Sequence, residues 1–234
     1  MSMVEVEPEV AADEVSVPRK LRRTVKLLIA GPKGGPGKST ISQNLAAIAA
    51  YEGYNVAVVD FDLQRSLAKW VARRPDTAAH IHPYEGDPNN VEDAQDVVGL
   101  DGHDVIFIDT PPSIEHHPET LKTLALAADL IIVPSRFGPK DMESAEPWVK
   151  LLNSYDVQTL IVLNSVKTAA RNRVLNARRR LAAVGNLSAI EIPDYDDFLT
   201  ADENGLGVAE IRSAKGAADI AALWASVRNL VRIK

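Results

Sequence analysis

Two lysines, a run of glycines, one serine and three aspartates in this chain are spaced so that together they could handle the phosphates of a nucleotide. The first group is Gly31-Pro32-Lys33-Gly34-Gly35-Pro36-Gly37-Lys38-Ser39-Thr40, between an apolar stretch and a helical pattern. Glycines let a backbone curl with its N–H groups turned inward on phosphate oxygens, and a helix starting near Ser39 adds the positive end of its dipole. Lys38 is then placed to neutralise the β- and γ-phosphates, and the Ser39 hydroxyl to ligate Mg²⁺. Gly34, Gly35, Gly37 and Thr40 complete the phosphate cradle.

The acids come later, each at the end of an apolar run. Val56-Ala57-Val58-Val59 shows no polar alternation, which suits a strand covered on both faces, and it ends in Asp60-Phe61-Asp62-Leu63-Gln64. Asp60 and Asp62 lie 21 and 23 residues after Ser39, the length of a helix and a strand, so both can return to the loop. Val105-Ile106-Phe107-Ile108 leads to Asp109-Thr110-Pro111-Pro112, a strand-terminal carboxylate of the kind that holds a Mg²⁺-bound water.

A conventional phosphate loop has glycine five positions before Gly37, where this chain has Pro32. The arrangement Lys33-Gly34-Gly35-x-Gly37-Lys38-Ser39 instead resembles the deviant P-loop of the ParA/MinD family of ATPases, closest to small ParA-type partition proteins. That resemblance implies ATP and Mg²⁺ as ligands. It gives catalytic roles to Lys38, to Asp62 (orienting the attacking water) and to Lys33, which would cross a dimer interface to the partner's nucleotide. It places Ser39, Asp60 and Asp109 around the metal, Asn164 at the end of Val162-Leu163-Asn164-Ser165 on the adenine, and Pro193 in a second loop beside the base. Leu63 departs from the family's usual proline.

The elements that must hold these residues alternate. Apolar strands are predicted at 25–30, 55–60, 80–84, 104–109, 129–134, 158–163 and 187–192, with helices at 39–53, 64–74, 91–99, 118–128, 140–154, 170–183 and 214–232. Such alternation predicts an α/β fold with a doubly wound, mostly parallel sheet flanked by helices and ligands outside the strand C-termini. The predicted organisation is an acidic-then-basic disordered tail over 1–23 and one P-loop ATPase domain over 24–234, with no room for an N-terminal helix-turn-helix domain.

Composition narrows the chemistry. The 234 residues include no cysteine, which excludes disulfides, thiolate zinc sites and cysteine-held iron–sulfur clusters. An apolar share of 46% with only 5% aromatics suits a core of Val, Ile, Leu and Ala. No run approaches the roughly 18 apolar residues of a membrane span, so no stable membrane insertion is expected, and the last helix reads as core packing rather than a membrane anchor. His116-His117 lacks partners for a metal site and reads as a solvated pair.

Net charge is −6, yet residues 157–190 contain no acid and carry Lys167, Arg171, Arg173, Arg178, Arg179 and Arg180. That basic segment is predicted to be a local surface for phosphate backbones, with Lys215 and Arg212 joining it. With the resemblance, the expectation is a cytoplasmic, nucleoid-associated ATPase. It forms a homodimer on ATP, binds double-stranded DNA without sequence preference, and is released when a ParB-like adaptor or centromere-binding protein stimulates hydrolysis. A MinD-like membrane-associated regulator and a positioner of protein assemblies are the alternatives.

Overall fold

The computed structural model describes residues 23–32 and 35–233, without the side chain of Thr168. The predicted tail up to residue 22, and Lys33 and Gly34, lie outside the described residues.

Six strands form one sheet in the order β3-β2-β4-β1-β5-β6, and every neighbouring pair is parallel. They are β1 (Val25–Ile29), β2 (Val56–Asp60), β3 (Ile81–Glu85), β4 (Val105–Asp109), β5 (Leu130–Ser135) and β6 (Thr159–Leu163). Leu27 and Ile29 of β1 point into one apolar cluster and Leu28 into the other, and β2, β4 and β5 divide their residues in the same way. Both faces are therefore covered, which is why β2 and β4 read as unbroken apolar runs up to their terminal aspartates.

One face carries α1 (Lys38–Tyr51), α2 (Ser66–Ala72), α7 (Asp197–Glu203) and α8 (Ala217–Val231). The other carries α3 (Val91–Gly99), α4 (Pro118–Ala127), α5 (Pro139–Asn153) and α6 (Arg171–Ala182). Helix α1 is buried nearly all round, and its alanines let it lie between the sheet and α8. The apolar stripe of α8, including Ile220, Leu223, Trp224 and Val227, is spent in this core. Among the described residues no helix is long and apolar enough to cross a membrane.

The expected seventh strand is a correction. Residues 187–192 follow the β6 edge and donate to it from Ser188 N–H (to the Ile161 carbonyl, 2.8 Å) and Ile192 N–H (to the Leu163 carbonyl, 2.9 Å), but build no ladder: Ile161 with Leu187 is an isolated bridge, as is Val166 with Pro193 just beyond. The cause is local: the Ser188 hydroxyl accepts the Ile190 N–H at 3.0 Å, which diverts that donor from a ladder. Helix α7 has no counterpart among the predicted elements, because its acidic sequence Asp-Phe-Leu-Thr-Ala-Asp-Glu buries only Phe198 and Ala201.

Candidate functional site

The order of the strands puts β1 between β4 and β5, so the chain winds away from β1 in both directions and leaves a crevice above the strand C-termini. The loops after β1, β2, β4 and β6 all open there. Register aligns the carboxylates: Asp109 pairs with Ile29 on one side and with Asp60 on the other.

The loop after β1 turns into α1 at Gly37, where φ is +89°. A Cβ here would lie 1.9 Å from Nδ2 of Asn164, so only glycine fits both the conformation and the space. Asn164 is buried at the end of β6 and donates Nδ2–H to the Pro36 carbonyl at 2.8 Å, bracing the loop from the far side of the crevice.

Beneath the loop, Ser39 and Ser42 donate their hydroxyls to the two Asp109 oxygens, Ser39 to Oδ2 at 2.7 Å and Ser42 to Oδ1 at 3.2 Å. Asp109 is only 1% exposed. Burial pushes its carboxyl up to about 7, and the charge of Asp60 pushes the same way; the hydroxyl of Ser39, the Lys38 ammonium and the hydroxyl of Ser42 pull back. Lys38 is itself buried, and burial pulls its ammonium below the ordinary lysine range against the attraction of Asp109, Asp62 and Glu115.

The loop after β2 is held by Asp60. Its Oδ1 accepts the Asp62 N–H, and its Oδ2 accepts the N–H groups of Leu67 and Ala68 at the start of α2. Burial pushes the Asp60 carboxyl up, and those backbone donors pull it down. Arg65 sets the turn: its backbone is left-handed at φ 53°. Its guanidinium donates to the carbonyls of Asp60 (2.6 Å) and Gly86 (2.8 Å) and pairs with Glu85. Asp62 is thereby left over the crevice, half-buried.

A cavity of about 440 Å³ results, which Gly35, Gly37, Lys38, Ser39, Thr40, Asp62, Asn164 and Pro193 all line. Every described residue expected at the nucleotide is thus brought to one place, with Asp60 and Asp109 behind it. Sequence reasoning missed three contributors: Arg65, Arg136 in the loop after β5, and the Tyr195–Leu199 segment that forms a wall. An arginine just past a strand C-terminus was a readable signal for Arg136; Gln64-Arg65-Ser66 resembles the family's sequence, but the left-handed turn at Arg65 and its bonds to the Asp60 and Gly86 carbonyls were not readable.

The donor set suits Mg²⁺. Ser39 and Asp109 supply hard oxygens, and Asp109 is a buried carboxylate with too little positive charge nearby to hold its ordinary ionisation. Among the described residues there is no group of three or more His, Asp or Glu side chains that could hold a metal.

The basic segment is helix α6. Val174, Ala177 and Leu181 are buried, and Arg171, Arg173, Arg179 and Arg180 face solvent, as the spacing predicts. Arg178 is paired with Glu191 (2.7 Å) and Arg180 with Glu146 (2.6 Å), so two of its charges are partly answered. Lys215 does not share that face. It stands before α8, its N–H bonded to Asp197, and α8 packs on the opposite side of the sheet.

A family model described as the CobQ/CobB/MinD/ParA nucleotide binding domain matches residues 27–208. The chain belongs to that family. Among curated relatives, this family member is 30% identical over 142 residues to the chromosome-partitioning ATPase Soj of Thermus thermophilus, covering 49% of the chain and 55% of Soj. It is 30% identical over 133 residues to the maintenance of carboxysome distribution protein A of Halothiobacillus neapolitanus, covering 55% and 58%. The chain thus spans little more than half the length of these relatives. Its fold matches the septum site-determining protein MinD of Pyrococcus horikoshii, a complex with Mg-ADP, with a TM-score of 0.71 at 18% identity over 90% of this chain and 98% of that one.

Asp109 yields a direct test. A carboxyl whose folded pKa is raised contributes stability below its unfolded value near 3.8, and that contribution is lost as pH rises through about 7. Asp109→Asn, neutral throughout, is therefore expected to melt several degrees above the wild type at pH 8 without Mg²⁺ or nucleotide, at about 2–4 °C per kcal/mol. The gap should narrow towards pH 5, and stabilisation by Mg²⁺-nucleotide should disappear. Differential scanning fluorimetry at both pH values reads this; a lower melting temperature at pH 8 contradicts the buried-charge account.

Proposed function

We propose that this chain is a Mg²⁺-dependent ATPase of the partition and positioning kind, and that ATP-bound copies form a sandwich dimer that holds double-stranded DNA without reading its sequence. The observation that carries this reading is the convergence of Lys38, Ser39, Asp62 and Asp109 on one crevice at the sheet's switch point.

Lys38 and the loop N–H groups bind and neutralise the β- and γ-phosphates, and Asn164 and Pro193 flank the adenine. Ser39 and Asp109, with Asp60 behind them, would hold Mg²⁺, which offsets charge on the phosphate oxygens when bound. Asp62 orients a water in line with the γ-phosphorus; the new P–O bond forms as the bond to the β-phosphate oxygen breaks, giving ADP and phosphate. Lys33 contributes positive charge to the partner copy's nucleotide. Hydrolysis is slow until a ParB-like adaptor accelerates it, because a positional timer needs a long-lived ATP state. An unstimulated turnover on the order of 10 per second contradicts this.

The α6 arginines are suited to phosphate oxygens, since several guanidinium groups on one helix grip a backbone without reading bases. Arg173→Ala, Arg179→Ala and Arg180→Ala together are expected to weaken ATP-dependent DNA binding in fluorescence anisotropy, while DNA-free ATP hydrolysis is retained. The salt slope should become shallower by about 0.9 for each phosphate no longer neutralised. Unchanged affinity and slope place the DNA surface elsewhere. A second reading, in which the cargo is a protein assembly rather than DNA, is favoured by the equal identity to the carboxysome distribution protein. A membrane role finds no support in α8, whose apolar stripe is buried.

A further inference from the structure

Beside the α6 arginines a groove of about 770 Å³ runs between the start of α5 and the outer side of α6. Its floor is apolar, made by Phe137, Pro139, Met142 and Ala177. Its rim carries Arg173, Arg179 and Arg180. Arg180 is answered by Glu146 at 2.6 Å, with Glu143 also near it; among the described residues Arg173 and Arg179 have no ion pair.

An apolar trough with guanidinium groups on its lip fits a two-faced acidic segment, and this chain contains one outside the described residues. Val4-Glu5-Val6-Glu7-Pro8-Glu9-Val10 alternates apolar and acidic residues at period two, and Asp13 and Glu14 follow. An extended backbone of that pattern presents valines on one side and carboxylates on the other. Residues 1–17 hold five acids and no base.

The geometry of the chain allows the contact. Arg23 is paired with Asp129, at the foot of β5, and α5 follows that strand. The 13 residues from Val10 to Arg23 reach up to about 43 Å when extended, against about 20 Å for the length of β5.

We propose that residues 4–14 dock in the α5–α6 groove, valines on the floor and carboxylates on the arginine rim, as an intramolecular competitor for the DNA-binding face. The competition rests on the DNA reading given above; the docking rests on the groove and the tail alone. Tethering favours the chain's own segment over a free acidic peptide, because it holds the segment at about millimolar effective concentration. DNA affinity then falls by the fraction of molecules in which the rim is covered.

The 234 residues contain no cysteine, so introduced pairs report cleanly. Val6→Cys with Asn176→Cys, in the groove, is compared with Val6→Cys and Tyr51→Cys, exposed on α1 across the sheet. The groove pair is expected to form its intramolecular disulfide about tenfold faster under mild oxidation. That advantage should vanish when Glu5, Glu7, Glu9, Asp13 and Glu14 are replaced by their amides, and should shrink when ATP and DNA are added. Equal rates for the two pairs, or an advantage that survives the amide replacements, overturn the docking; a rate undiminished by ATP and DNA overturns the competition. If the groove pair closes selectively but the triple arginine replacement leaves DNA binding intact, the DNA reading falls and the docking stands. If the arginine replacement weakens DNA binding while both pairs close equally, the docking falls and the DNA reading stands.

Discussion

Lys38→Ala is expected to lose ATP turnover by a factor on the order of 10²–10³ or more, and to lose nucleotide binding with it. Lys38 is a buried cation at the first turn of α1, within the electrostatic reach of Asp109, Asp62 and Glu115. Without it the crevice keeps three acids against four phosphate charges, and the backbone N–H groups supply only partial compensation. The fold should survive, because α1 is anchored by Ile41, Leu45 and the alanines of its core faces rather than by Lys38. Asp109 loses one of the groups that pull its carboxyl down, so the variant should be less stable at pH 8 than at pH 6. Isothermal titration with ATP and Mg²⁺, paired with circular dichroism, separates the two effects; normal turnover in a folded Lys38→Ala protein removes the phosphate-loop assignment.

Much of this site was legible because its residues sit where strong local signals meet. Asp60 and Asp109 end runs of four apolar residues, and such runs are what a strand covered on both faces must look like. The α6 arginines were legible because Val174, Ala177 and Leu181 fix one buried stripe and leave the rest outward. What sequence missed depends on contacts between distant residues. The bond from Asn164 to Pro36 joins positions 128 apart and adds a loop-bracing role to the expected adenine contact. Asp60, expected near the metal, also holds the start of α2 through Leu67 and Ala68. The apolar pattern of 187–192 predicted a strand, but the Ser188 hydroxyl takes the Ile190 N–H that a continuous ladder would use. Lys215 is close to the α6 arginines in charge but not in space, since the sheet lies between the helices they border.

Lys33→Ala carries the second large effect. In the proposed reading Lys38, Ser39 and the loop amides, which line one crevice, all serve the subunit's own nucleotide, so an ordinary phosphate loop needs no second lysine. If Lys33 instead neutralises charge on the partner copy's nucleotide, each ATP becomes part of the interface. Removing the lysine then leaves two copies facing each other across uncompensated phosphates, where like charges at close range cost several kcal/mol. The variant should bind ATP as a monomer with near-normal affinity. It should fail to dimerise, to hold DNA cooperatively and to respond to an adaptor.

Sedimentation velocity with Mg²⁺ and a non-hydrolysable ATP analogue tests that nucleotide-gated dimer most directly. The wild type should shift from monomer to dimer when the analogue is added, and Lys33→Ala should stay monomeric at the same nucleotide occupancy. A wild type that never leaves the monomer, or a Lys33→Ala protein that dimerises as well as the wild type, contradicts the account.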